Sequence, residues 1–420
     1  MPDLLYKRIV RIALILIFPA SCIIDLHNGI SNNFEDKSSM FAQLYKGVIM
    51  VVCLIACAVE GIKVRQVQRI FALVLLFCLC LCHWSISCHY LNIASEMRFA
   101  LKVVYPWIIL FFLCGHSRFI DISDFIKILY GYGVIAALSL IIWVIFLGDF
   151  SLLTSTGMKG AFTGGNDLGL CLLITGCITG YLYTEYRKFI YFLVLIIVLI
   201  SSVIVGTIAG IGGALAILIL FLINLVFLDR SKYSDNKNKY SGLTRAILII
   251  FSFSIIAMTA IHIDNLLNEN MYMMRKVNNI VEGNGAREGL QKSAERVLSE
   301  FNVSDWLLGR GYTDFSTRVG NYSHDLRYRL TEMDFHDIVG YYGILLGGGI
   351  ILFSFYVFLR AFKGFIYNKM NLYYWSSVAT ALFIGHGYFA GHAYMSPSSS
   401  LLFVGVAFIV LCNKNECHIK

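Results

Sequence analysis

The side chains best suited to chemistry crowd into one polar stretch, about Asp264 to Asp337, set between two long apolar blocks. It ends in Glu332-Met-Asp334-Phe-His336-Asp337, acids and an imidazole at the mouth of the next apolar segment, where water, protein and lipid meet. The stretch holds nine Lys/Arg and twelve Asp/Glu, so it is no generic basic patch. Among its arginines, those at 287, 296, 310, 318, 327 and 329 are discrete tools or discrete surface ion pairs. Arg287, Arg310, Arg327 and Arg329 lie near the membrane exit or flank a glycine turn, and the planar guanidinium fork suits a diphosphate.

Other chemistries find less support. Cys78, Cys80, Cys82 and Cys88 lie near His83 and His89, a set rich in metal ligands. Helical residues two apart point to opposite sides, however, so 78, 80 and 82 cannot share one metal. Small apolar cysteines in a lipid-buried helix are the simpler reading. No cysteine falls between Cys177 and Cys412, so the polar insert carries no disulfide. Gly206 to Gly213 lacks the Lys-Ser/Thr ending of a phosphate loop, and Gly210-Ile-Gly212-Gly213 suits close helix packing instead.

The elements that must hold these groups are membrane helices. Hydrophobic residues make up 58% of the chain and charged residues 14%, against about 25% charged in a soluble domain. Apolar runs at 9–25, 44–62, 69–86, 99–115, 125–147, 163–183, 189–206, 208–228, 246–263, 338–359, 372–390 and 398–413 each approach the ~20 residues that cross a bilayer as a helix. The reading is all-α and polytopic, with about twelve crossings and a hairpin turn at Gly206–Gly210. It divides into an N-terminal bundle 1–263, a large outer loop 264–337 and C-terminal helices 338–420. Within the loop, Leu290, Ala294, Val297 and Leu298 share one face and predict an amphipathic helix.

Lys and Arg cluster in alternate loops, at 63–69, 118, 187–188, 230–245, 360–369 and 414–420. This positive-inside bias places both termini in the cytoplasm and the 264–337 loop outside. The +8 net charge therefore reports topology and needs no nucleic-acid partner. The first apolar run, after Lys7-Arg8, reads as a retained first helix.

The order of features resembles the O-antigen polymerase/O-antigen ligase superfamily of bacterial envelope glycan assembly. The matching pieces are Phe162-Thr-Gly-Gly-Asn166-Asp-Leu-Gly, Arg287 with Leu-Leu-Gly309-Arg-Gly311 in the large loop, Glu332-Met-Asp334 with Tyr-Tyr-Gly343, and Ala390-Gly-His392-Ala-Tyr-Met-Ser396-Pro397. Ligases carry a His eleven residues before the glycine of the last loop motif, where this chain has Glu332 ahead of Gly343. They also carry an Arg in the hairpin turn, where Thr207-Ile-Ala-Gly210 has none. His336 and Gly347 have the same spacing in a shifted register. The acidic signature and the Gly391-His392…Ser396-Pro397 element resemble polymerases of O-antigen or capsule repeat units, and the missing Arg tells against the ligase mechanism.

The resemblance implies a GT-C-like membrane glycosyltransferase in the bacterial inner membrane. Its substrate would be an oligosaccharide linked through diphosphate to undecaprenol, with membrane lipid around it. A chain-length regulator and a flippase are the protein partners implied. The lipid diphosphate is a good leaving group, so the enzyme needs cations for the departing charge and a base for the acceptor hydroxyl. Arginines supply the first without metal or cofactor. Glu332 is the first choice for the base, then Asp334, with His336 third; the alternative is that these acids cap the next helix. His392 orients donor or acceptor, and Arg98 reaches the diphosphate or snorkels. The rivals are the ligase reaction, a lipid-linked sugar transporter or flippase, and a receptor or scaffold.

Overall fold

The computed structural model describes residues 2–34, 40–59, 64–147, 159–162, 164–228, 286–323, 331 and 333–412. These are helical apart from short connections, with no strand among them. Seven helical stretches are long and apolar enough to cross a membrane: Asp3–Ser31, Phe41–Ala58, Ile93–Gly115, Ile122–Phe146, Gly165–Tyr186, Ile208–Val226 and Asp334–Asn368. Shorter apolar helices add Ala72–Ser87, Phe189–Ile204 and Pro397–Cys412. The chain is a multi-pass membrane protein. Each apolar run named above is helical over most of its described residues except 246–263, which lies outside them.

Helix α1 (Pro2–Ile15) passes through a π-helical turn at Leu16–Ala20 into α2 (Ser21–Phe34). Pro19 sits in that turn, and its missing N–H makes it the natural place for the helical ladder to widen. Next come α3 (Met40–Val59), α4 (Val64–Ser87), α5 (Ile93–Gly115) and α6 (Ile122–Leu147). The core is α7 (Gly165–Tyr186), buried from Leu168 to Gly180 without interruption. It packs on α6, α8 (Phe189–Ile204) and α9 (Ile208–Ile223). The α8–α9 hairpin turns where expected, and the Thr207 hydroxyl accepts the Gly210 N–H at 3.0 Å to start the second helix.

The loop contributes α10 (Ala286–Ser299), α11 (Val303–Leu308) and α12 (Gly311–Tyr322). Leu290, Ala294 and Val297 are buried as the amphipathic pattern requires, with Leu298 half-buried beside them. Then follow α13 (Asp334–Tyr342), a π-helical segment Gly343–Gly348, α14 (Gly349–Asn368), α15 (Asn371–Phe389) and α16 (Pro397–Cys412). The boundary expected at 337/338 falls inside α13, because the acids open the helix and do not precede it. Both α15 and α16 lie against α7, and α16 also packs on α5. A Cβ on Gly180 would stand 2.8 Å from the Trp375 ring, so the absent side chain lets α15 approach α7. On α4, Cys80 is buried while Cys78 and Cys82 are exposed, the divergence that a two-residue helical spacing imposes.

Candidate functional site

The loop helices dock on the α4–α5 connection through buried charge. Glu96, in the first turn of α5 and 1% exposed, accepts the Tyr312 N–H at 2.8 Å, the Thr313 N–H at 2.6 Å and the Thr313 hydroxyl at 2.5 Å. Its carboxylate thereby closes the N-terminus of α12, where free N–H groups and the helix dipole favour an anion. Trp84 donates its indole N–H to the Leu308 and Gly309 carbonyls, both at 3.1 Å. The Cys88 thiol donates to the Arg310 carbonyl at 3.1 Å. Burial, then the nearby Asp314 carboxylate, pushes that thiol up to about 12, so it is no thiolate nucleophile near neutrality.

Arg310 belongs to this docking surface. Its Nη2 donates to Asp305 Oδ2 at 2.7 Å, and Nη1 lies 3.5 Å from Asp314 Oδ2. Arg318 Nε holds the same Asp314 oxygen at 2.9 Å, and His83 Nε2 lies 3.0 Å from Asp305 Oδ1. Burial opposes the Arg310 charge, but the hydrogen bond to Asp305 and the fields of Asp305 and Asp314 raise its pKa above the usual guanidinium value. The two flanking glycines are geometric requirements. Gly309 and Gly311 have φ of +72° and +73°, and a Cβ on Gly309 would sit 2.3 Å from the Tyr341 carbonyl oxygen. Where the sequence suggested a diphosphate grip, Arg310 hydrogen-bonds one buried carboxylate through Nη2 and lies within ion-pair distance of a second.

Asp334 also differs from expectation. It is 1% exposed; Oδ1 accepts the His392 N–H at 2.7 Å and Oδ2 the Tyr394 N–H at 2.8 Å. A buried carboxylate with both oxygens committed to backbone donors acts as a clamp on the segment that supplies them. What it clamps is the 390–396 connection between α15 and α16, where His392 adopts φ +63°. Tyr394 reaches onward to Ser354 at 2.6 Å, and the Ser399 and Ser400 hydroxyls close the connection onto the Ala393 carbonyl at 2.9 and 2.8 Å. From α7, the Asn166 amide donates to the Ala390 carbonyl at 3.4 Å. Its neighbour Asp167 feels the His392 imidazole and the Ser396 hydroxyl. Half-buried His392 therefore stands in the field of two acids, Asp167 and Asp334.

His336 faces elsewhere, its Nε2 3.9 Å from Glu295 Oε1 on α10. Arg287 stands in the first turn of α10. Glu332, Arg327 and Arg329 lie outside the described residues. Arg98 is exposed on α5, donating to the Ala94 carbonyl at 3.3 Å and to Ser95 Oγ at 3.4 Å, and touches no acid among the described residues.

Sequence reasoning passed over the charges inside the apolar helices. Lys46 on α3 pairs with Asp25 on α2 at 2.6 Å, and the second Asp25 oxygen accepts the Ser398 hydroxyl at 2.6 Å. Lys102 lies one turn beyond Arg98 on α5, exposed, with no ion pair among the described residues. The surrounding side chains desolvate its ammonium first of all, Lys46 and Arg98 repel it, and Asp167 attracts it. At 1.5 Å per residue, Lys102 stands about 13 Å from the Ile93 end of α5, within the depth of a hydrocarbon core. The signal was present in the sequence, since an ionisable residue within an apolar helix marks a candidate site by its cost.

Lys102, Lys46 and Arg98 supply positive charge at the end of the bundle where the loop helices dock; Asp167, His392 and the Asp334-held connection supply acid and base beside it. Such an arrangement can hold an anionic group and move one proton. The chain matches no protein-family model, no curated protein and no solved structure.

Proposed function

We propose that the chain is a glycosyltransferase of about twelve membrane crossings and GT-C-like architecture. It would join undecaprenyl-diphosphate-linked oligosaccharide repeats into O-antigen or capsular polysaccharide on the outer face of the bacterial inner membrane, with both termini cytoplasmic. The observation that carries this reading is Lys102, a cation inside an apolar helix that forms no ion pair among the described residues, next to Arg98 and Lys46 and beside the acid-flanked His392. A lysine left unpaired at that depth is costly, and an anionic ligand reaching it from the bilayer relieves the cost. The sequence resemblance supplies the reaction class.

In this mechanism Lys102 and Arg98 bind the diphosphate and stabilise the charge that develops on it, with Lys46 held beside them by Asp25. His392 takes the proton of the acceptor hydroxyl, and Asp167 stabilises the imidazolium. The acceptor oxygen bonds to the anomeric carbon while that carbon's bond to the diphosphate oxygen breaks, releasing undecaprenyl diphosphate. Asp334 positions His392 through the backbone. Glu332 is the second candidate for the base.

The test is the length of glycan on envelope lipids with and without the chain. Loss of a polymerase leaves single repeats attached, loss of a ligase leaves none attached, and retention of full ladders removes the proposal. A transporter of the same lipid-linked sugar is the second reading. The Asp25–Lys46 pair inside the helices favours it. Loss of transport would leave the repeats on the cytoplasmic leaflet, which protease-free glycan labelling of intact cells distinguishes.

A further inference from the structure

A second charged feature lies at the opposite end of the bundle from the loop helices. There α1 and the start of α6 enclose a cavity of about 420 Å³ whose polar walls are Lys7, Arg8, Arg11, Arg118, Asp121 and Asp124. Lys7, Arg8 and Arg11 are exposed and form no ion pair among the described residues. The two acids are already engaged. Asp121 accepts the Asp124 N–H at 3.0 Å, opening α6, and Asp124 lies 3.5 Å from Lys127. Arg118 lies 4.4 Å from the centre of the Phe119 ring, which braces its guanidinium at the cavity edge. The cavity therefore holds cations in excess of acids, three of them unmatched. Leu4, Arg8, Ile12 and Ile15 follow one stripe of α1, and the three apolar members are 62%, 58% and 44% exposed. One stripe thus joins a cationic head site to a lipid-facing apolar track.

We propose that this cavity binds the phosphate headgroup of an anionic phospholipid from the leaflet at that end, with its acyl chains along the exposed face of α1. Basic pockets between membrane helices recognise such headgroups through charge, and the apolar stripe adds what a free phosphate could not use. The inference does not rest on the polymerase reading and holds equally for a transporter.

Native mass spectrometry of the full chain, delipidated in detergent and titrated with phosphatidylglycerol or phosphatidylcholine, tests it. Phosphatidylglycerol should be retained selectively. K7Q/R8Q/R11Q should weaken its binding on the order of a hundredfold, and R8Q or R11Q alone about fivefold, as each cation near the headgroup contributes. The single variants carry the test if the triple variant does not remain monodisperse. K188Q/K363Q, which removes basic residues at the same end outside the cavity, should bind like the parent. Equal retention of phosphatidylcholine, unchanged binding in R8Q and R11Q, or an equal loss in K188Q/K363Q would overturn the proposal. So would displacement of the lipid by millimolar inorganic phosphate, which would make the cavity a site for free anions.

Discussion

Asp334→Asn separates a clamp from a catalytic base. The carboxylate is buried and receives the His392 and Tyr394 N–H groups at 2.7 and 2.8 Å, one on each oxygen. Asparagine keeps the shape but turns one oxygen into an NH2 group that faces an N–H. One charge-assisted hydrogen bond, about 1.5–3 kcal/mol, is lost, and the orphaned donor adds about 1–3 kcal/mol. The remaining bond loses its charge. A destabilisation of about 3–5 kcal/mol follows, near the top of the range for single substitutions. The assay is thermal unfolding of the purified protein in detergent, read beside the glycan ladder in cells. The clamp predicts a lower Tm and a shortened ladder together, because His392 loses its position as the connection loosens. A parental Tm with no polymer would refute the reasoning and return Asp334 to the role of base. A parental Tm with a full ladder would show that the connection holds without it.

Arg310→Ala leaves Asp305 and Asp314 buried without their shared cation, so folded protein should fall by about 3–5 kcal/mol of stability, and Lys should recover only part. Normal expression with specific loss of polymer would restore Arg310 to the diphosphate. Gly309→Ala drives a Cβ toward the Tyr341 carbonyl at 2.3 Å, and a thermal scan should show the loop helices detached from α13; an unchanged Tm would contradict the packing. Lys102→Met keeps the length of the side chain and removes a charge that Lys46 and Arg98 repel, so polymer should vanish while Tm holds or rises. Full polymer in that variant would move the anion site elsewhere. His392→Asn suits the φ of +63° and should abolish polymer at near-normal stability, whereas Glu332→Gln should retain it; the reverse pattern assigns the base to Glu332.

Much of the fold was legible because its signals are local. Apolar runs of bilayer length became helices, the Thr207–Gly210 turn separated α8 from α9, and Leu290, Ala294 and Val297 turned inward together. Each depends on residues a few positions apart. The start of α13 was misjudged for the same reason. Asp334 and Asp337 look like a loop ending before a membrane helix, and the partners of Asp334, the His392 and Tyr394 backbone, are remote in sequence.

The site was harder to read because motif and function separate here. The conspicuous Leu-Leu-Gly309-Arg-Gly311 is a docking element, with its glycines required by backbone approach and its arginine neutralised by acids five residues before and four residues after. Lys102 has no motif around it. What distinguishes it is that it has no ion pair among the described residues, whereas Glu96 has two N–H groups and a hydroxyl, Arg310 has Asp305, and Lys46 has Asp25. Partnered charges in a low-dielectric setting have their cost offset within the fold, and removing one partner exposes that cost as lost stability. A cation with no ion pair among the described residues gains nothing from the fold to offset its cost, and a ligand that supplied an anion would give it a physical reason to stand there.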